Sequence, residues 1–229
     1  MSEKRYRHEY KYVLDDLKTV LLKARAGALF RPDPHARPDG QYSIKSLYFD
    51  DINNGCYYDA ANGNDPRAKF RIRLYNDDTE MIRLEKKIKR NGFTLKEQAV
   101  LSRQECEALM QGRPVVIENT EDEKKRSLLS QMAVNGLVPV IIIAYERQPF
   151  IYPGSDIRFT IDTRITFSTD VKSFLDPGKK AMMSLGGGFS VMELKWGRYL
   201  PGHITEYLTI NSLDKSRFSK YYYCRSMTF

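Results

Sequence analysis

The chain has 229 residues, of which 41% are hydrophobic and 29% charged, enough for a single globular domain, residues 1–229, with a sizeable core. Its 37 Lys and Arg against 29 Asp and Glu give a formal charge of +8, which favours anionic partners such as nucleotides, polyphosphates, nucleic acid or an acidic membrane surface. No secretory segment opens the chain and "VPVIIIAY" is too short to span a bilayer as a helix, while three scattered cysteines and three histidines argue for free thiols in a reducing cytoplasm, against disulfides or zinc.

"RHEYKY" opens a strand over roughly 4–13, with Arg7, Glu9 and Lys11 on one face and His8, Tyr10 and Tyr12 on the other. "VLDDLKTVLLKARAGALF" spaces Leu14, Leu17, Val20 and Leu21 at helical intervals, with Asp15 and Asp16 in its first turn. A strand over 41–50 follows, and "CYYDAANGNDP" reads as a loop with Tyr57 and Tyr58 as packing residues. Strands at 67–76, 79–90 and 93–101 are joined by "NDD" and "RNG" turns. Ser102 and Glu105 form a capping box for a helix stopped at Gly112, and Thr120 and Glu123 do the same for one closed by Gly136. Strands at 138–152, 156–168 and 189–198 complete eight, mostly linked as hairpins, and helices are expected in "PGHITEYLTINSL" and in the tail. "SLGGGFS" lacks P-loop spacing and reads as a flexible hairpin or lid. The expected fold is α+β, an eight-stranded antiparallel closed β-barrel tunnel with flanking helices.

The opening alternation recurs. Lys69, Arg71 and Arg73 oppose Phe70, Ile72 and Leu74; Arg83, Glu85, Lys87 and Lys89 oppose Leu84 and Ile88; Thr94, Lys96 and Gln98 oppose Leu95. Tyr145 and Arg147 share a side, Arg158, Thr160, Asp162 and Arg164 oppose Phe159 and Ile161, and Glu193 and Lys195 oppose Met192, Leu194 and Trp196. A half-solvated sheet makes such a pattern in any one strand, but solvent faces seldom concentrate Arg and Lys at spacing two. If the apolar side faces outward under helices, the cations line a lumen. Two like charges about 4 Å apart repel by about 1 kcal/mol in water and about 4 kcal/mol at an effective dielectric near 20. Such a lumen needs an anion, and a polyphosphate gripped by charge-assisted bonds suits it. Glu9, Glu85 and Glu193 each stand two positions from a basic residue on the same face, as salt-bridge partners or as ligands to magnesium or manganese.

Taken in order, "RHEYKY", "SLYFD", "KFRIRLYN", "RLEKKIKRNGFTLKE", "IIAYERQPF", "RFTIDTRI", "VMELKW" and "RFSKY" resemble the VTC-type polyphosphate polymerase domain, the catalytic domain of the vacuolar transporter chaperone and a triphosphate tunnel metalloenzyme. The resemblance covers nearly the whole chain. It implies a basic tunnel in which a carboxylate-held divalent metal (Mn2+ or Mg2+) assists transfer of the ATP γ-phosphate to a growing polyphosphate chain. Lys11, Arg71, Arg73, Lys87, Lys96, Arg147, Arg158, Lys195 and Lys220 are the implied phosphate-gripping set; Glu193 is the implied metal ligand, with Glu9 and Glu85 as further candidates, and Tyr145 a nucleotide contact. Lys220 rests on the resemblance alone. Where other tunnel enzymes carry Glu-x-Glu-x-Lys, this chain has Arg7-x-Glu9-x-Lys11, which moves metal binding off the first strand and favours a polymerase. A triphosphatase, with water as acceptor, and a non-catalytic polyphosphate or inositol-phosphate sensor are the alternatives. Nucleic acid is not expected, because many aromatics fall opposite the charges. No membrane segment is visible, so coupling to a membrane would need a partner protein.

Overall fold

Period-two alternation makes strands, and the apolar face of each must find a cover. The computed structural model describes residues 6–115, 122–177, 182–186, 188–209 and 212–229. Eight long strands are β1 (His8–Asp15), β3 (Tyr42–Asp50), β4 (Arg67–Tyr75), β5 (Ile82–Arg90), β6 (Phe93–Leu101), β7 (Val138–Ile151), β8 (Arg158–Ser168) and β10 (Phe189–Trp196). The two-residue strands β2 (Arg31–Pro32) and β9 (Met183–Ser184) pair with β7 and β8. The long strands form one antiparallel sheet in the order β1-β10-β8-β7-β3-β4-β5-β6.

The sheet curls strongly but does not close, which corrects the expected barrel. Its end strands β1 and β6 share no ladder, and the edges meet at one isolated bridge, Arg7 to Thr94. The reason lies on the free edge of β1. The C-terminal segment reaches it, where Ser216 N donates to the Lys11 carbonyl at 2.8 Å and occupies a group that closure would need. The seam is instead spanned by side chains: Lys87 of β5 reaches Glu9 of β1 at 2.9 Å, and His8 packs on Phe93.

Six helices flank the sheet among the described residues: α1 (Asp16–Leu29), α2 (Gly55–Ala61), α3 (Arg103–Met110), α4 (Glu123–Val134), α5 (Gly202–Tyr207) and α6 (Lys220–Ser226). On the convex side, α3 and α4 cover Leu47, Phe70, Ile72, Leu84 and Ile142, while α1 and α5 cover Tyr12, Phe159, Ile161, Met192 and Leu194. The apolar faces therefore point outward under helices, as the alternation requires. A third cluster sits inside the curl, where Phe218, Tyr221 and Cys224 pack on Ile44, Ile141, Ile143, Ile165 and Phe167. The C-terminal segment thus fills one end of the concavity.

Local expectations fare unequally. Ser102 and Glu105 make the capping box, with Ser102 N donating to Glu105 Oε2 at 2.6 Å. Thr120 lies outside the described residues; Asp122 caps α4, accepting from Lys124 N and Lys125 N. Leu14 belongs to β1, and Leu17, Val20 and Leu21 are exposed, while α1 buries Thr19, Leu22 and Ala26. Asp15 resets the phase: its carboxylate caps Lys18 N at 2.7 Å, and Thr19 binds Ser190 of β10. The expected loop around Tyr57 is the helix α2 instead, since Asp50 satisfies the backbone N–H groups of Cys56 and Tyr57 at its start. In "SLGGGFS", Ser184 closes β9 and Phe189 opens β10; Gly187 lies outside the described residues.

Asp50 is fully buried and also takes the Tyr221 hydroxyl, joining β3, α2 and α6 through one carboxylate. Asp50→Ala strands the amides of Asp51, Cys56 and Tyr57 and the Tyr221 hydroxyl, and is expected to cost about 3 kcal/mol in urea unfolding. Tyr221→Phe, which removes one hydroxyl, is expected to cost about 1 kcal/mol in the same measurement.

Candidate functional site

Inside the curl, strand register sets charges directly across from one another. Lys11 pairs with Glu193, Glu9 with Lys195, Arg71 with Glu85, Arg147 with Asp162 and Lys87 with Lys96. Glu85 is fully buried and binds Arg71 through two contacts of 2.8 and 2.6 Å and Lys96 at 3.0 Å. Its oxygens are therefore already committed to cations. Asp162, also fully buried, takes a two-pronged grip from Arg147 at 2.6 and 2.7 Å and accepts from Lys220 at 2.5 Å. Glu193 binds Lys195 at 2.5 Å and Lys11 at 3.4 Å, with Arg147 and Lys220 at 3.7 and 3.8 Å. Lys11 also stands 3.1 Å from Glu9, so two carboxylates of neighbouring surroundings converge on one ammonium.

These pairs define a waist. Lys11, Arg71, Arg73, Lys87, Lys96, Arg147, Lys195 and Lys220 supply eight cations there, against the four carboxylates Glu9, Glu85, Asp162 and Glu193. Burial disfavours every charge, yet the cations win for the acids. Lys195, Lys11 and Lys220 hold the Glu193 carboxyl well below the usual range, and Arg71, Arg73 and Lys96 do so for Glu85. Lys87 and Lys11 depress Glu9, and Arg147 and Lys220 depress Asp162. Burial also opposes the charge on Lys11, but Glu193 and Glu9 outweigh it and raise its pKa.

Two cavities meet at the waist. A narrow one of about 300 Å³ carries Lys11, Lys69, Tyr145, Glu193 and Lys220 and opens toward Arg67, Lys89, Lys215 and Arg217. A wide one of about 750 Å³ runs the other way past Lys96 and Arg158 to Tyr42, Tyr75, Phe150 and Asp33. Glu9, Arg71, Arg73, Lys87, Arg147 and Lys195 line both. Of the expected set, Arg158 sits apart: it is 45% exposed at the wide end and bound to buried Asp33 at 2.8 Å. Tyr145 braces cations, accepting from Arg73 at 3.2 Å with Lys220 4.7 Å over its ring.

Arg164, expected on the charged face, is turned out to solvent. A bulge sets Arg164 and Ile165 across from Tyr145, with Arg164 at φ +52 in the left-handed region. Past it the inner face changes from Thr160 and Asp162 to Ile165 and Phe167. Sequence reasoning passed over Asp162 and Lys69 although both lay on the charged alternation; Asp33, Lys215 and Arg217 lie in loops and carried no such signal. The hydroxyl of Thr160 is buried at the wide cavity with no partner, and Thr160 faces Glu193 in register.

The histidines lie elsewhere. His8 stacks on Trp196, His203 meets Tyr152, and His35 donates its backbone N–H to Asp33. Among the described residues no group of three or more His, Cys, Asp or Glu could hold a metal by itself, and no helix is long and apolar enough to cross a membrane.

The fold has clear relatives among solved structures. A candidate adenylyl cyclase from Hippeastrum, described as revealing a dominant triphosphatase activity, superposes with a TM-score of 0.56 at 13% identity, over 97% of this chain and 96% of that one. A candidate adenylate cyclase from Bacillus halodurans gives 0.55 at 14% identity, over 94% and 95%. The PH1819 protein of Pyrococcus horikoshii gives 0.51 at 10%, over 97% and 99%. At these identities the likeness is one of fold. No curated protein sequence matches the chain significantly. The VTC domain model matches residues 6–229, and the chain belongs to the VTC domain family.

Proposed function

We propose that the protein is a metal-dependent polyphosphate polymerase that moves the terminal phosphate of ATP onto the end of a polyphosphate chain. One observation carries the reading: eight cations at the waist, all but the exposed Lys96 buried or half-buried, face only four carboxylates. The surplus matches the roughly four negative charges of an ionised triphosphate, held by charge-assisted bonds. Arg71, Arg73 and Arg147 are pre-aimed by Glu85, Ser46 and Asp162, so little reorganisation accompanies binding.

The basicity of the lining supports a phosphate acceptor. Its carboxylates are held in their charged forms by neighbouring cations and are weak bases, and the three histidines lie outside it. Water needs a base to become a good nucleophile, whereas a phosphate oxygen is already anionic. A phosphate acceptor therefore needs none of these groups as a base, whereas water would draw on Lys87, whose pKa burial lowers to about 7. The γ-phosphate–ADP bond breaks as the bond to the acceptor oxygen forms, and ADP carries away the electron pair.

A divalent cation fits the donor set. Glu193 and Glu9 offer hard carboxylate oxygens that already share the charge of Lys11, and magnesium or manganese commonly takes one or two carboxylates plus substrate phosphates. Glu193, with Glu9 beside it, would hold the ion, and the ion would neutralise charge developing on the phosphate oxygens. Glu85, which lines neither cavity, stays a counter-ion to Arg71 and Lys96. Lys11, Lys195 and Lys220 hold and orient the phosphates around Glu193, and Tyr145 keeps Arg73 in place.

The deciding assay gives purified protein ATP, manganese and a short polyphosphate primer and resolves products on a gel. Chains that lengthen with equimolar ADP release are expected; orthophosphate as the only phosphate product identifies a triphosphatase, and binding without turnover a sensor. Glu193→Gln is expected to lower kcat by about 100-fold or more and to raise the manganese needed for half-maximal rate, with the circular-dichroism spectrum kept. An unchanged kcat removes Glu193 from the metal site.

A further inference from the structure

The sequence offers Leu17, Val20 and Leu21 as a core face of α1, and the fold leaves them outside. They are 80%, 66% and 46% exposed, while the helix buries Thr19, Leu22 and Ala26 against the convex side of the sheet. Ala24 and Ala28 are exposed as well and follow Leu17, Val20 and Leu21 at intervals of three and four, so the five share one side of the helix. α1 therefore has two apolar sides, one covering the sheet and one facing water. A leucine exposed singly needs no account, but a continuous apolar stripe along a surface helix marks a docking face.

Cations flank the stripe on both sides. Helical spacing sets Lys18 and Arg25 along one edge and Lys23 along the other. Arg164 of β8 stands beside Lys23: its bulge turns it out of the curl at φ +52, and its charge joins burial in lowering the Lys23 pKa. Among the described residues Lys23, Arg25 and Arg164 form no ion pair, and Arg25 donates to the Thr209 hydroxyl. The acids of this helix lie at its N-terminal end, where Asp15 caps Lys18 N and pairs with the Lys18 ammonium at 3.3 Å. Three cations without acids, set beside an apolar stripe, are complementary to an anionic lipid surface. A second copy fits less well. It would bring its own uncompensated cations to the same interface, and a face of one 14-residue helix falls short of the roughly 20–30 residues a side of a stable protein interface.

We propose that α1 is a membrane-docking helix that lies flat on an anionic phospholipid surface, with Leu17, Val20 and Leu21 among the acyl chains and Lys23, Arg25 and Arg164 on the headgroups. The helix rests on the bilayer and does not span it, since its 14 residues fall short of the roughly 20 that a crossing needs. None of these residues lines either cavity, so the proposal stands apart from the polymerase reading. It also gives the left-handed Arg164 a role: the bulge that removes this cation from the inner face delivers it to the docking face. Shallow aliphatic insertion and headgroup attraction are each modest, so docking needs both, is reversible and weakens as salt rises.

The test is co-sedimentation of the full chain, at physiological ionic strength, with vesicles of phosphatidylcholine alone or with about 30% phosphatidylserine. Each sample is run with and without inorganic tripolyphosphate, which occupies the basic cavities. Wild type is expected to bind the mixed vesicles about tenfold or more tighter than the neutral ones, with or without tripolyphosphate. A Leu17→Ser, Leu21→Ser double variant and a Lys23→Gln, Arg164→Gln double variant are each expected to bind about tenfold weaker, with melting temperatures near that of wild type because none of the four side chains is buried. No preference for the mixed vesicles, or undiminished binding by either variant, overturns the proposal. Binding that tripolyphosphate abolishes also overturns it, by assigning the lipid contact to the cavities. Val20→Trp supplies an independent readout, since the native Trp196 is buried: its emission should shift to the blue on mixed vesicles, and an unshifted spectrum removes α1 from the membrane. A dimer in sedimentation velocity that Leu17→Ser, Leu21→Ser dissolves would give the stripe to a second copy instead.

Discussion

The structure turns on a surplus of positive charge held inside a curled sheet. Four carboxylates lock the cations of the waist into fixed directions but cannot neutralise them. Buried ion pairs of this kind add little to stability by themselves, because desolvation offsets much of the attraction. What they supply is orientation. Arg147 can point only where Asp162 lets it, and Arg71 only where Glu85 does. A site built in this way has its donors already in place.

The rest of the architecture serves to keep those charges inside. The convex face of the sheet buries its apolar residues under α1, α3, α4 and α5, which leaves the concave face for the polar half of each strand. The C-terminal segment then does three things at once. It fills one end of the concavity with Phe218 and Tyr221, occupies the free edge of β1 through Ser216, and delivers Lys220 to Asp162. Asp50 fastens that segment to β3 and α2 by taking the Tyr221 hydroxyl. Local stability at a remote carboxylate and the position of Lys220 are therefore linked through a single seven-residue helix.

The fold recurs among proteins with little sequence in common, which fits a scaffold whose outer faces are constrained by packing and whose inner face is free to vary. In this chain the first strand offers one carboxylate, Glu9, shared between Lys11 and Lys87, so the acidic donors are spread over four strands. Among the described residues that dispersal leaves no ready-made metal cage.

Much of this was legible in the sequence because strand periodicity is local. Alternation in "RAKFRIRLYN" or "VMELKW" assigns each side chain to a face without knowledge of the partner strand, and it placed Lys11, Arg71, Arg73, Lys87, Arg147, Glu193 and Lys195 together. It could not foresee Arg164, because a bulge changes parity only through the mismatch of two paired strands. Nor could it assign the face of α1, whose phase is set by an Asp15 cap and a Thr19–Ser190 contact 171 residues apart. Closure of the sheet was likewise undetermined. Eight strands permit a barrel, but whether the edges pair depends on what else reaches them, and here a C-terminal loop arrived first at Lys11. Sequence determined which side chains share a face, since that follows from backbone geometry residue by residue. Only the tertiary structure decided which charges meet, which are left without a partner, and where the curl stays open, since those depend on contacts between segments far apart in the chain.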